Sequence, residues 1–233
     1  MTYSYRIVGL GQYYREYFDR LLNNFSTAGI EVMNRTFGPQ FSEINVRHEH
    51  EVANIKIYPQ YNDLLVTFEV KEDVGHRTLE FAKTGLRFFG SILTGGSVVD
   101  ATISTVEESF DNALSGNAGY LASTVANIIK STEDSLRHEV EERIRQVRES
   151  MEEVNNLATS VQSRIITIQE ELDILKSEGK DVSKIELRVN RAKQLYDEAM
   201  SEASRRNYMN AIAKLEAASR LLDRVEGLLS EVY

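Results

Sequence analysis

From Tyr120 to Glu178 the chain has neither glycine nor proline, and from Val140 onward its apolar residues fall into a seven-residue rhythm. Val140, Ile144, Val147, Met151, Val154, Ala158, Val161, Ile165, Ile168, Leu172 and Leu175 alternate spacings of four and three without a break. That is the a/d pattern of a coiled-coil seam, which keeps one stripe of a helix turned toward a partner. A strict seven-residue repeat also implies left-handed supercoiling, because a straight helix would drift away from it. A single helix over this stretch would run roughly 90 Å at about 1.5 Å per residue. A compact chain of 233 residues cannot hide such a rod without laying other elements along it.

The rest of the composition narrows the classes. Apolar residues make up 42% of the chain, enough for a packed core. The formal net charge is −9 with both signs interleaved, which argues against a nucleic-acid partner, since phosphate binding needs a basic surface. Cysteine is absent, excluding disulfides, thiolate nucleophiles and cysteine metal sites. The start, Met1 to Gly9, lacks a basic segment followed by an apolar run, so no signal peptide is expected and a cytoplasmic location is the simplest expectation. The uncharged run from Phe88 to Val99 is too short to span a bilayer and holds glycines.

All nine phenylalanines precede Asp111 and both prolines precede Tyr61. This shift predicts an α+β fold: a small βαβββ-like head over residues 1–74, then a mainly helical region. Tyr3, Tyr5 and Ile7 alternate as in a strand, and Tyr14, Phe18, Leu21, Leu22 and Phe25 recur at helical spacing up to Gly29. Residues 30–37 form the next predicted strand, so a right-handed parallel crossover is expected. Ile44, Val46, His48, His50 and Val52 share one parity, whereas Ile55 and Ile57 share the other. The switch predicts a bulge or break near Ala53 and Asn54. An extra strand fits residues 42–47. Residues 50–58 and 64–70 form a predicted hairpin around a turn at Pro59–Asp63.

Residues 75–135 read as a small-residue-rich helical hairpin, broken at Gly95-Gly96, leading into the long helix. Residues 136–233 read as an antiparallel three-helix coiled-coil bundle. Gly179 ends the long helix. Ser183 and Glu186 suggest a capping box, with Val182 and Leu187 as its hydrophobic staple. Two further helices, to about Ala203 and from Tyr208 to about Val232, resemble a single tetratricopeptide-like hairpin, without the second copy that a repeat array requires. At about 24 residues each they reach roughly 36 Å, enough to cover the long helix only over about residues 152–178. Leu157, Ile166 and Ile174 would widen the apolar stripe there. Residues 136–152 then keep a narrow seam with few partners from the same chain.

Candidate sites follow. Val140, Ile144, Val147 and Met151 are the expected oligomer interface. His48 and His50, both on one face if they share a strand, could ligate a metal with His76 as the third group. Leu86, Phe88, Phe89, Ile92 and Leu93 could touch a membrane surface. Arg87 is the only basic residue between Lys83 and Lys130, and interfacial helices ordinarily carry a basic face. Gly9-Leu10-Gly11 follows a strand and opens a helix, but Tyr14 stands where the dinucleotide fingerprint needs its third glycine. Tyr13, Tyr14, Tyr17 and Phe18 could stack bases, although Glu16 and Asp19 oppose that and core packing is the simpler expectation.

No nucleophile–base pair, HExxH motif or paired carboxylates stand out, and no cofactor is implied. The favoured expectation is a non-enzymatic scaffold or protein-interaction module that self-associates, or binds a coiled-coil partner, through its helical region. The alternatives are a metal- or small-ligand-binding protein, with or without enzymatic activity, using the head, and a peripheral membrane-associating protein using residues 85–96.

Overall fold

The computed structural model describes residues 2–72 and 110–232. The expected helical hairpin up to residue 109, and with it His76, Leu86, Phe88, Phe89, Ile92 and Leu93, lies outside the described residues. The chain divides into two compact units, Met1–Glu139 and Val140–Tyr233.

In the first unit the strands are β1 (Thr2–Ile7), β2 (Glu31–Thr36), β3 (Ser42–His48), β4 (Glu51–Gln60) and β5 (Asp63–Glu72), with helix α1 (Tyr14–Thr27) between β1 and β2. They form a five-stranded sheet in the order β1-β5-β4-β3-β2, with every neighbouring pair antiparallel. The pairing therefore makes β1 and β2 run in the same direction at opposite edges. The expected crossover joins strands that never hydrogen-bond to each other.

The register carries an apolar ladder across one face: Tyr3 opposite Phe68, Phe68 opposite Ile55, and Ile55 opposite Ile44. Tyr3 and Phe68 stack with centroids 4.6 Å apart. From α1, the apolar side Tyr14, Tyr17, Phe18, Leu21, Leu22 and Phe25 is buried. Full burial of a side chain such as Phe25 removes enough apolar surface to stabilise by about 1.5–3 kcal/mol. Gly29, with φ of 73°, closes α1. Gly29 N–H donates to Ser26 and Ile30 N–H to Phe25, the paired bonds of a Schellman motif that satisfy the helix's last carbonyls.

Two sequence expectations need correction here. The parity switch in residues 44–57 is not a bulge at Ala53 and Asn54, which pair regularly with Val46 and Asn45. It is a hairpin: Glu49 and His50 form the turn between β3 and β4, and Glu49 takes a left-handed φ of 52°. Reversal of the chain, rather than slippage, changes which residues face the core. The β4–β5 turn is also tighter than expected, with only Tyr61 and Asn62 between paired Gln60 and Asp63, so Pro59 lies within β4 opposite Leu64.

The long helix α2 (Tyr120–Ser177) has 58 residues. Its first turns belong to the first unit. Leu121, Ala122, Val125, Ala126, Ile129 and Leu136 are buried, and Leu121 N–H donates to the Glu51 carboxylate at 3.2 Å. Asn24 donates to Thr132 at 2.7 Å and Tyr17 to the Ile129 carbonyl at 3.2 Å. Phe110, in a helical stretch at 110–114, stacks on Tyr5 at 4.3 Å.

The second unit is a three-helix bundle of the rest of α2 with α3 (Ser183–Ser204) and α4 (Tyr208–Val232). Val154 to Leu175 on α2, Ile185 to Ala199 on α3 and Ala211 to Leu229 on α4 contribute one continuous core. The links at 178–182 and 205–207 are short, which makes sequential helices antiparallel neighbours. Gly179, at φ of 78°, ends α2 as expected, with Gly179 N–H on Lys176 and Lys180 N–H on Leu175.

The start of α3 differs from the capping-box reading. Asp181 accepts from both the N–H and the hydroxyl of Ser183, while Glu186 accepts from Lys176 at 2.8 Å. Leu187 is 71% exposed, so it cannot staple to the buried Val182. Asp181 takes the Ser183 N–H that Glu186 would accept in a capping box, and the Glu186 N–H that the serine hydroxyl would accept donates instead to the Val182 carbonyl at 3.0 Å. Leu157 packs against the core, but Ile166 and Ile174 are 50% and 54% exposed, so the stripe on α2 is narrower than their apolar character implied. Among the described residues, no helix is long and apolar enough to cross a membrane.

Candidate functional site

The seam on α2 changes character along its length. Val154, Ala158, Val161, Ile165, Ile168, Leu172 and Leu175 are all buried. About one to three turns earlier, at the same heptad positions, Ile144 is 50% exposed, Val147 48% and Met151 44%. Helix length explains the change. The 22 residues of α3 rise about 33 Å, so a helix returning from the level of Leu175 runs out at about residue 153. Val140 departs from the expectation. It is 7% exposed, so the uncovered stripe is Ile144, Val147 and Met151.

Charged side chains surround this stripe. Writing Ile144 and Met151 as a and Val147 as d puts Arg145 at b and Glu142 and Glu149 at f. Arg145 pairs with Glu142 at 2.6 Å and with Glu149 at 3.7 Å, so those charges are balanced within the helix on the side away from the seam. Glu141 and Arg148 hold successive e positions, beside the stripe, and both are exposed. Among the described residues neither has an ion pair within the chain. The sequence reading passed over these two because a charge beside an apolar stripe gains meaning only once the stripe is seen to be uncovered.

The other candidate positions look different. His48 ends β3 and His50 lies in the following turn, so they do not share one strand face. With Glu49, Glu51 and Tyr120 they line an open depression of about 530 Å³, where the His48 ring lies 4.7 Å from that of Tyr120. Among the described residues, no group of three or more histidine, aspartate or glutamate side chains is placed to hold a metal. At the Gly9-Leu10-Gly11 loop the backbone donors are occupied. Gly9 N–H donates to Asp63 at 2.9 Å and Gly11 N–H to the Asn62 carbonyl at 2.6 Å. A Cβ on Gly11 would stand 2.4 Å from the Tyr61 carbonyl, so this glycine admits the β4–β5 turn rather than a phosphate. The Gly9 N–H and the Arg6 guanidinium hold the Asp63 carboxyl below its ordinary pKa. Tyr14, Tyr17 and Phe18 are core residues.

One polar cluster escaped the sequence reading. Glu133, only 6% exposed at its side chain, accepts from Tyr5 at 2.5 Å, Arg137 at 2.7 Å and Lys130 at 3.0 Å. Burial pushes its carboxyl up, but these three donors outweigh burial and hold its pKa below the ordinary value. Burial and the neighbouring Glu133 push the Tyr5 hydroxyl up. Every strong group in the cluster is matched, so it fastens α2 to β1 and offers no open position for a substrate.

No protein-family model matches the chain, and no curated protein or solved structure shows significant similarity to it.

Proposed function

We propose that this protein is a non-enzymatic scaffold that self-associates through the uncovered seam of α2 and works in the cytoplasm. The observation that carries the reading is the exposure of Ile144, Val147 and Met151 at a and d positions in an otherwise buried seam. Scattered apolar residues on a surface are ordinary, but a contiguous stripe in coiled-coil register is shaped for another helix. Covering the exposed halves of these side chains on two copies is worth about 1 kcal/mol each. Association costs at least roughly 4 kcal/mol in lost translational and rotational freedom. The balance favours a weak association that depends on concentration. Such an interface suits a module that assembles when it is concentrated locally.

Sedimentation equilibrium on the full chain tests this. The expected result is a weight-average mass that rises with protein concentration and returns to that of one chain in an I144D/V147D double variant. A wild-type protein that stays monomeric from micromolar to millimolar concentration overturns the reading.

A further inference from the structure

We infer that the partner on the uncovered seam is a second copy of this chain, laid antiparallel, with a two-fold axis crossing α2 between Arg145 and Gln146. The inference rests on the self-association proposed above and adds its orientation and register. Four arrangements, one parallel and three antiparallel, can be compared from the positions of charge alone.

In a parallel in-register pair, each g position faces the e position of the next heptad on the other helix. The charged pair that results beside the exposed stripe is Arg143 against Arg148, and symmetry makes it occur twice. An antiparallel pair instead sets a opposite d, e opposite e, and g opposite g. With the axis between Arg145 and Gln146, Ile144 of each copy meets Val147 of the other. The same axis sets Glu141 of each copy beside Arg148 of the other, so two opposite-charge pairs flank the apolar centre. Arg143 then faces Ser150, which carries no charge. Moving the antiparallel register one heptad toward the C-terminus puts Arg148 against Arg148. Moving it one heptad toward the N-terminus puts Glu141 against Glu141 and Arg143 against Arg143. Only the register centred between Arg145 and Gln146 joins unlike charges and avoids like ones.

The burial pattern agrees with that centre. The exposed apolar residues Ile144 and Val147 straddle the axis. Met151 falls at each end, level with Val140 of the second copy, which is already buried in its own chain. The apolar centre is thus short, four side chains flanked by two methionines, and the e-position charges decide which way the helices run. Glu141 and Arg148 remain available for this, while Arg145 is engaged by Glu142 and Glu149 within its own helix.

Charge reversal on the full chain separates the possibilities, with association read by sedimentation equilibrium. R148E and E141R should each weaken association by roughly tenfold, because two attractive pairs become two repulsive ones. The E141R/R148E double variant should return to within about threefold of wild type. A parallel dimer gives the opposite result for R148E, which would tighten because the new carboxylate meets Arg143. Both residues are exposed, so each variant should keep the wild-type unfolding transition. If wild type is monomeric throughout, self-association itself fails. If wild type associates but R148E tightens or is neutral, or the double variant is no better than the singles, self-association stands and the antiparallel register is overturned. Because the chain has no cysteine, M151C supplies an independent readout. An antiparallel pair holds the two sulfurs too far apart to oxidise to a dimer, whereas efficient disulfide formation overturns the inference.

Discussion

Two stretches of the same helix share a heptad pattern and differ in what covers it. From Val154 to Leu175 the a and d residues of α2 are closed over by α3 and α4. From Ile144 to Met151 the same positions stand about half exposed. Nothing in the spacing distinguishes them. Heptad periodicity states that a stripe requires a partner, but whether the partner comes from the same chain depends on how far the neighbouring helices reach. Here α3 and α4, of 22 and 25 residues, are too short to follow a helix of 58.

The largest test of this contrast places a charge in each stretch. Val161 is fully buried in the bundle core, and V161D leaves a carboxylate without a partner there. A loss of at least about 3 kcal/mol is expected in urea unfolding. The I144D/V147D double variant should change the unfolding free energy of dilute protein by less than about 1 kcal/mol, while abolishing association. Similar losses of stability for both variants would erase the distinction between the two stretches.

The first turns of α2 sharpen the comparison in another way, because a polar cluster fastens them as well as apolar packing. E133Q keeps the shape but removes the charge that Tyr5, Lys130 and Arg137 converge on, and should cost about 1–3 kcal/mol. The pH dependence has a definite sign. The folded carboxyl titrates below the unfolded one, so its stabilisation is complete above the unfolded glutamate pKa of about 4.3 and is lost as pH falls through the lowered folded value. Asp63, lowered by Gly9 N–H and Arg6, acts in the same direction. Unfolding curves for the wild type should therefore weaken steeply on acidification, and E133Q should show a shallower acid limb. An unchanged limb would mean that Glu133 is not held as an anion in the folded state.

Much of this was legible in the sequence, and the gaps have physical causes. Local signals sufficed for the alternation in β1 and β5, for Gly29 and Gly179 as helix stops, and for the reach of the last two helices along α2. The β3–β4 hairpin was misread because Glu49 and His50 carry no turn signature, and Glu49 takes a left-handed conformation despite its side chain. The Asp181 cap was hidden by a serine that fitted the motif equally well. The Glu133 cluster could not be read at all, since Tyr5 and Glu133 lie 128 residues apart and only the fold brings them together. For the candidate interface, the seam was visible, and Ile144, Val147 and Met151 are exposed in the stretch that the helix lengths left without partners. The burial of Val140 and the proposed roles of Glu141 and Arg148 depend on neighbours that no local pattern specifies.

The smallest expected effect isolates register from exposure. Ile166 and Ile144 are the same residue type on the same helix, each 50% exposed. Ile144 occupies an a position, whereas Ile166 sits at b, one residue past the seam position of Ile165. If general stickiness drives association, I166D should weaken it as much as I144D does. If the seam drives it, I166D should leave the association constant within about twofold of wild type, and should change stability by no more than about 0.5 kcal/mol as a surface substitution. The sequence pattern alone had assigned Ile166 to the bundle core, where an aspartate would be severe. Its exposure reverses that expectation, and makes I166D the control in which only the position of the side chain relative to the stripe has changed.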